Sequence, residues 1–589
     1  MRVGRSIPIE GLALGTVLSV RGSEAQVTLP TPSLLDSARA TVGAFLRIQA
    51  AEQRLIGIIT EVAAREGAPG ALAKVDLMGE IVSDGHGAER FERGVSIYPA
   101  IGDAVSVIGR DELRLIYSGA REDSIAIGAL HHDPSIEARI SIDNTLSKHF
   151  AILGSTGVGK SSGVAVILNV LLEARPNLRI FLLDGHNEFG RCFGARANVV
   201  NAHNLKLPFW LFNFEEFVDV IYGGRPGVED ELDILAEHIP IAKGMYLMHR
   251  IAQGATARRV DPRRAGYTVD TPVPYVVQDL VNLIDERMGK LENRATRMHY
   301  HRLLARLEAL RADTRYAFMF ENANVGGDTM GDILSSLFRL EAHGQPMTVM
   351  QVAGLPVEVV DAVVCVVSRL AFDFGLWSDG GMPMLFVCEE AHRFAPADRT
   401  SGFGPTRRAL LRIAKEGRKY GVFLGLVTQR PGELDPTIIS QCNTLFAMRM
   451  ANDRDQALLR SAVTDSVANL LAFVPSLGTR EVVAFGEGLA LPARLTFNPL
   501  PADRLPRSET FERLGLDDGH GGERVFVKQV VERWRRATAS AKPADDGGAF
   551  PAAAAEPEQS SARQAPLPVA SRLDQIRAQI LKRNGSGGA

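Results

Sequence analysis

Phe150-Ala-Ile-Leu-Gly154-Ser-Thr-Gly-Val-Gly159-Lys160-Ser161-Ser162 reads as a buried strand, a glycine-rich turn and the opening of a helix. From Gly154 to Ser161 it fits the pattern G-x-x-x-x-G-K-[ST] at every specified position. A turn of this kind aims successive backbone N–H groups at phosphate oxygens, and the helix start behind it adds partial positive charge. Glycine is needed because a Cβ would block the close approach and the unusual dihedrals. Gly154, Ser155, Thr156, Gly157, Val158, Gly159, Lys160, Ser161 and Ser162 are therefore expected to hold a nucleoside triphosphate. Lys160 would reach the β- and γ-phosphates and Ser161 would ligate Mg²⁺.

Outward from this stretch the chain alternates strand and helix. Apolar runs at 179–184, 347–352, 384–388, 422–427 and 444–448 are separated by helical patterns, as at 358–374 and 407–420. That rhythm predicts an α/β P-loop NTPase of RecA-like type with a mainly parallel sheet. Its first part is expected over 131–213 and its second over 341–536. Between them, over 214–340, no strand pattern is convincing, and leucine and basic residues recur at helical spacing, which predicts an inserted helical subdomain. On the N-terminal side, short runs at 16–20, 25–29, 55–60, 104–108 and Leu113-Arg-Leu-Ile-Tyr117 are divided by turn residues. They predict a small β-barrel over 1–130. From 537 to about 570 the chain is Ala/Pro/Ser-rich, and 537–589 is expected to be a disordered tail whose short amphipathic segment 573–583 is either a frayed terminal helix or a docking peptide.

Two further strand ends carry chemistry. Leu385-Phe-Val-Cys388 runs directly into Glu389 and Glu390. An acidic pair at a buried strand tip is the expected partner of a phosphate loop: Glu389 in the Mg²⁺ shell, Glu390 orienting and polarising the attacking water. His392 reads as a locally bonded helix-start residue rather than a base. The strand ending Val427-Thr428-Gln429 offers Gln429 as a sensor of the γ-phosphate, because such tips line the ligand crevice of open α/β sheets. The basic segment 407–420 holds Arg412 and Arg418 and is apolar on its other side, which suits charges offered to a neighbouring copy's nucleotide.

With 589 residues, the chain has room for three to four domains, and its 46% hydrophobic and 23% charged content is that of ordinary globular protein. A net charge of −3 argues against a chain that is basic overall, so any nucleic-acid contact must come from locally concentrated cations. Arg399, Arg407 and Arg408 are the first candidates, Arg302 and Arg306 the second. Cys192, Cys365, Cys388 and Cys442 are scattered, with no zinc spacing, and are expected as buried small hydrophobes. No apolar run reaches bilayer-spanning length and no signal-peptide core is visible, so a cytoplasmic location is expected.

Together, the segment 148–161, Asp184-Gly-His-Asn-Glu-Phe189, Phe386-Val-Cys-Glu-Glu-Ala-His392, Glu416-Gly-Arg-Lys-Tyr-Gly421 and Thr428-Gln-Arg-Pro431 resemble the HerA family of hexameric DNA translocases and helicases, within the FtsK/HerA group. The resemblance runs to about residue 535. It implies an ATP-dependent translocase on double-stranded DNA, built as a homo-hexamer and working with a partner nuclease or effector on the barrel side. It assigns Lys160 and Ser161 to phosphates and Mg²⁺, Glu389 to the metal, Glu390 to water, Gln429 to the γ-phosphate, and Arg418 to the finger role, with Arg412 and Arg449 as competitors. The alternative it leaves open is a ring-forming ATPase that scaffolds and gates an effector enzyme in anti-phage defence. No GTPase base-recognition motif is present to favour a metabolite kinase or GTPase.

Overall fold

The computed structural model describes residues 13–507, apart from 31–40, 66–69, 84–88, 119–122, 255–264, 322, 324–326, 354, 356, 399–403 and 462–469, together with 527–528 and 531–532. The expected tail therefore lies outside the described residues, as does Arg399. Antiparallel strands come first: β1 (Ala13–Arg21), β2 (Glu24–Leu29), β3 (Phe45–Ala50), β4 (Gln53–Ala64), β5 (Ala71–Ser83), β6 (Glu89–Arg93) and β7 (Ala104–Val107). Their order is β2-β1-β7-β3-β4-β5-β6, and β2 also pairs with β5, so six strands close into a barrel with β6 attached to β5. Alternation sets the inner face. In β2, Ala25, Val27 and Leu29 are buried while their neighbours are not. The long β4 bends at two register shifts, and at the first a Cβ on Gly57 would lie 2.4 Å from Val75 Cγ1.

The run at Leu113–Tyr117 is not a strand. It lies within helix α1 (Arg110–Ser118). The Glu112 carboxylate accepts the Gly109 N–H at 3.0 Å and pairs with Arg47 and Arg54 of the barrel, each at 3.2 Å, which caps and anchors the helix start. Nor does the barrel extend to residue 130. Strand β8 (Ser124–Leu130) pairs antiparallel with the second sheet, Leu130 opposite Leu495, and the expected 1–130 span overruns the barrel's last strand.

That second sheet continues through β9 (Glu137–Ser141), β10 (Phe150–Leu153), β11 (Arg179–Asp184), β12 (Ala197–Val200), β13 (Met347–Gln351), β14 (Met384–Cys388), β15 (Val422–Thr428), β16 (Thr444–Ala447), β17 (Glu481–Gly486) and β18 (Ala493–Phe497). Its order is β12-β13-β11-β14-β15-β10-β16-β17-β18-β8-β9. Pairings from β12 to β16 are parallel, and those from β16 to β9 are antiparallel. β10, β13 and β14 are buried at every residue, as parallel strands covered on both faces must be. The architecture is a RecA-like P-loop fold with an N-terminal barrel.

After β10 comes α2 (Lys160–Ala174). The insertion carries α3 (Phe214–Tyr222), α4 (Glu229–Gly254), α5 (Val277–Gly289), α6 (Arg294–Ala312) and α7 (Met330–Phe338), with no strand among its described residues. Asn213 and Glu216 form a reciprocal capping box at the start of α3. The Glu216 carboxylate also accepts Arg369 Nε at 2.8 Å, tying α3 to the motor helix α8 (Val357–Trp377). Lys243 is 2% exposed, yet its ammonium is satisfied by the carbonyls of Thr268, Val269 and Thr271. Helix α9 (Gly404–Glu416) leads through a short 3₁₀ turn into β15. All four cysteines are free and buried.

Candidate active site

Parallel strands deliver the site at their C-terminal ends. Leu153 of β10 lies between Thr428 of β15 and Ala447 of β16, so the loop that follows emerges between two strand tips. Gly154 N–H donates to the Thr428 carbonyl at 3.2 Å. Ser155 donates both its N–H (3.0 Å) and its hydroxyl (2.6 Å) to the Arg449 carbonyl. Gly157 and Gly159 have φ of 77° and 93°, the left-handed region that glycine alone adopts freely. Ser162 lies in the first turn of α2, which starts at Lys160. Lys160 is 7% exposed, with Nζ 3.8 Å from Glu390 Oε1.

Glu389 and Glu390 follow the buried β14 and are 2% and 6% exposed. Glu389 accepts the Gly185 N–H at 2.9 Å. Glu390 sits at φ 52°, and this turn directs its carboxylate to Lys160. One of its oxygens, Oε2, is buried and makes no hydrogen bond, although His392 Nδ1 lies 3.2 Å away. Burial pushes the Glu390 carboxyl up, Lys160 pulls it back, and Glu389 adds to the rise. His392 bonds across to Thr428 Oγ1 at 2.9 Å rather than locally, and burial pushes it down to about 4, leaving it neutral at physiological pH. Gln429 accepts the Thr156 hydroxyl, which ties the expected sensor to the phosphate loop.

Asp184, His186 and Glu188, at the end of β11, complete the group; sequence reasoning gave them no individual role. Ser161 Oγ donates to Glu188 Oε2 at 2.8 Å. Asp184 is fully buried and accepts the N–H groups of Glu188 (3.0 Å) and Phe189 (2.9 Å). Burial and the neighbouring Glu389 push its carboxyl up to about 7. His186 lies 3.8 Å from Glu389 and 3.6 Å from Glu390, and Glu389 pushes its imidazole up. Ligand atoms of His186, Glu389 and Glu390 all fall within 4.8 Å of one another. The donor set fits a divalent cation: two buried carboxylates, one of which leaves Oε2 without a partner, and an imidazole.

The arginines divide. Arg418 is exposed in the turn before β15, at the opposite end of that strand from Gln429 and thus about 20 Å from its own phosphate loop. Arg412 stacks on Phe372, 4.1 Å from the ring centroid, and pairs with Asp373. Arg449 lies beside its own loop. Arg407 pairs with the buried Asp435 at 3.1 Å and Arg408 with Glu215, so both proposed DNA contacts are engaged within the chain. Arg306 pairs with Glu231 at 3.3 Å, whereas Arg302 is exposed.

A phosphate loop, an acidic pair one strand removed and a glutamine at the tip of the strand between them define an ATP-hydrolysing P-loop enzyme. The profile described as "Helicase HerA, central domain" matches residues 125–371. It is 24% identical over 472 residues to the DNA double-strand break repair helicase HerA of Pyrococcus furiosus, spanning 74% of this chain and 78% of that protein. It is 25% identical over 404 residues to the protein of the same name from Sulfurisphaera tokodaii, spanning 67% and 72%. Among solved structures, VirB4 of Thermoanaerobacter pseudethanolicus superimposes with a TM-score of 0.44 at 15% identity, covering 65% of this chain and 98% of that one.

Proposed function

We propose that this protein is an ATP-driven motor on double-stranded DNA, acting as a ring of six identical copies in DNA processing with a partner nuclease on the barrel side. The relatives are named DNA double-strand break repair helicases, which supports the substrate. The observation that carries the ring is the distribution of the site. Loop, acids and sensor converge within one chain, while Arg418 stands exposed at the far end of β15. It can complete phosphoryl transfer only for a neighbour, which makes hydrolysis depend on assembly.

Within each site the loop amides and Lys160 hold the β- and γ-phosphates. Glu390 orients water and takes its proton, and Gln429, bonded to the loop through Thr156, registers the γ-phosphate. Ser161 and Glu389, with His186 adjacent, would hold Mg²⁺, which when bound neutralises phosphate charge. Filter binding and phosphate release on two variants test this division. Lys160→Ala is expected to lose tight ATP binding, and Glu390→Gln to retain ATP while turnover falls roughly a hundredfold or more. Near-normal hydrolysis by Glu390→Gln would move the catalytic role elsewhere.

A further inference from the structure

Arg480 enters β17 in the left-handed region, at φ 65°, where a non-glycine residue is strained. Three contacts hold it there. Its N–H donates to the Val158 carbonyl of the phosphate loop at 2.9 Å, and its carbonyl accepts the Phe497 N–H of β18 at 3.0 Å. Its side-chain stem crosses the last loop glycine: a Cβ built on Gly159 would lie 3.1 Å from Arg480 Cγ. Gly159 is the N-cap of α2, the point where amide groups and helix charge face a bound phosphate chain.

The guanidinium at the end of this stem has no hydrogen bond or ion pair among the described residues. The adjacent acid, Glu481, is engaged by Arg494 at 2.7 Å, by the Gly478 N–H at 2.9 Å and by His131 at 3.3 Å. Lys160, the loop's other cation, is drawn towards Glu390. A half-buried arginine thus stands at the phosphate loop on strained backbone, with its charge uncommitted.

We propose that Arg480 is a nucleotide-binding residue acting within its own chain, its guanidinium contacting the phosphates that ADP and ATP share. This rests on the reading of 154–162 as the nucleotide site. It assigns Arg480 a different task from Arg418, because a contact made to ATP and ADP alike sets affinity, whereas a contact made during transfer sets turnover.

The test is calorimetric titration of ADP and of ATP, in Mg²⁺ buffer, into the full chain and its Arg480→Ala, Arg480→Lys and Arg480→Asn variants, with turnover at saturating ATP. Asn tolerates left-handed backbone and keeps the loop clamp if Ala destabilises it. Arg480→Ala and Arg480→Asn are expected to weaken both nucleotides by roughly tenfold or more, with turnover within about twofold and Arg480→Lys in between. Wild-type affinity for ADP in both neutral variants would overturn the proposal and leave Arg480 as a backbone clamp. A loss confined to turnover would overturn it equally. Lys160→Ala separates the two levels: if it binds both nucleotides normally, the site itself has been misread, and if it alone loses binding, only the role of Arg480 fails.

Discussion

Glu390 holds a left-handed backbone that glutamate seldom adopts, and its buried Oε2 lacks a hydrogen-bond partner. Both features cost stability and suit a base held ready for a substrate water. Burial raises its pKa and the proposed base would work ionised, so hydrolysis should be lost as pH falls, with a midpoint above that of an ordinary glutamate. A pH–rate profile measured at saturating ATP checks this. His149 gives a stability counterpart. Its Nδ1 accepts the Leu424 N–H at 2.8 Å, so Nε2 carries the proton to the Ala414 carbonyl at 3.0 Å, and burial pushes its pKa down to about 4. The unfolded chain takes up that proton near pH 6.5, so the stabilisation present above 6.5 is lost as pH falls towards 4, by roughly 3 kcal/mol at most. Asp184 and Asp219, each pushed up to about 7, act with the opposite sign. The contribution is therefore read as a difference: His149→Gln should flatten the acid loss relative to wild type in urea unfolding at pH 6.5 and 4.5. The loop residues and the Glu389–Glu390 pair were legible from motif and strand context. His186 and Arg480 were not, since one is a lone histidine past a strand and the other meets Gly159 only through sheet pairing far along the chain.

At the level of elements, long apolar runs between helices announced the parallel strands, because burial on both faces leaves no other composition open to them. Short edge elements were harder. Leu113–Tyr117 fits both a strand and a helix period, and the Glu112 cap and its barrel arginines select the helix. β8 alternates like a barrel strand, yet pairs with β18. Close packing between elements makes a firm prediction at Gly425 of β15, where a Cβ would lie 2.7 Å from the Phe150 ring of β10. Gly425→Ala should cost about 1–3 kcal/mol in equilibrium unfolding, as overpacking does. Arg412 and Arg418 leave α9 and its turn with different expectations. Arg412→Ala removes a stacked, paired guanidinium and should lower stability by about 1 kcal/mol without affecting neighbouring subunits. Arg418→Ala should leave stability unchanged, and an excess of these subunits should poison the hydrolysis of wild-type rings. Equal inhibition by both variants in mixing experiments would reassign the finger.

Over the whole molecule, a net charge of −3 and the pairing of Arg407 and Arg408 within the chain narrow the cations available to DNA. Contacts from those that remain, Arg302 among them, would touch phosphates and carry no base information. Binding should therefore be indifferent to sequence and weaken steeply with salt. Among the described residues no helix is long and apolar enough to cross a membrane. Whether ATP hydrolysis drives movement on duplex DNA, as proposed, is decided by steady-state phosphate release from the full chain as linear double-stranded DNA is titrated in at low salt. The rate should rise several-fold with linear duplex, rise less with closed circles, collapse with added salt and be absent from Glu390→Gln. A rate indifferent to every form of DNA, in a preparation that an effector protein does stimulate, would contradict the proposal.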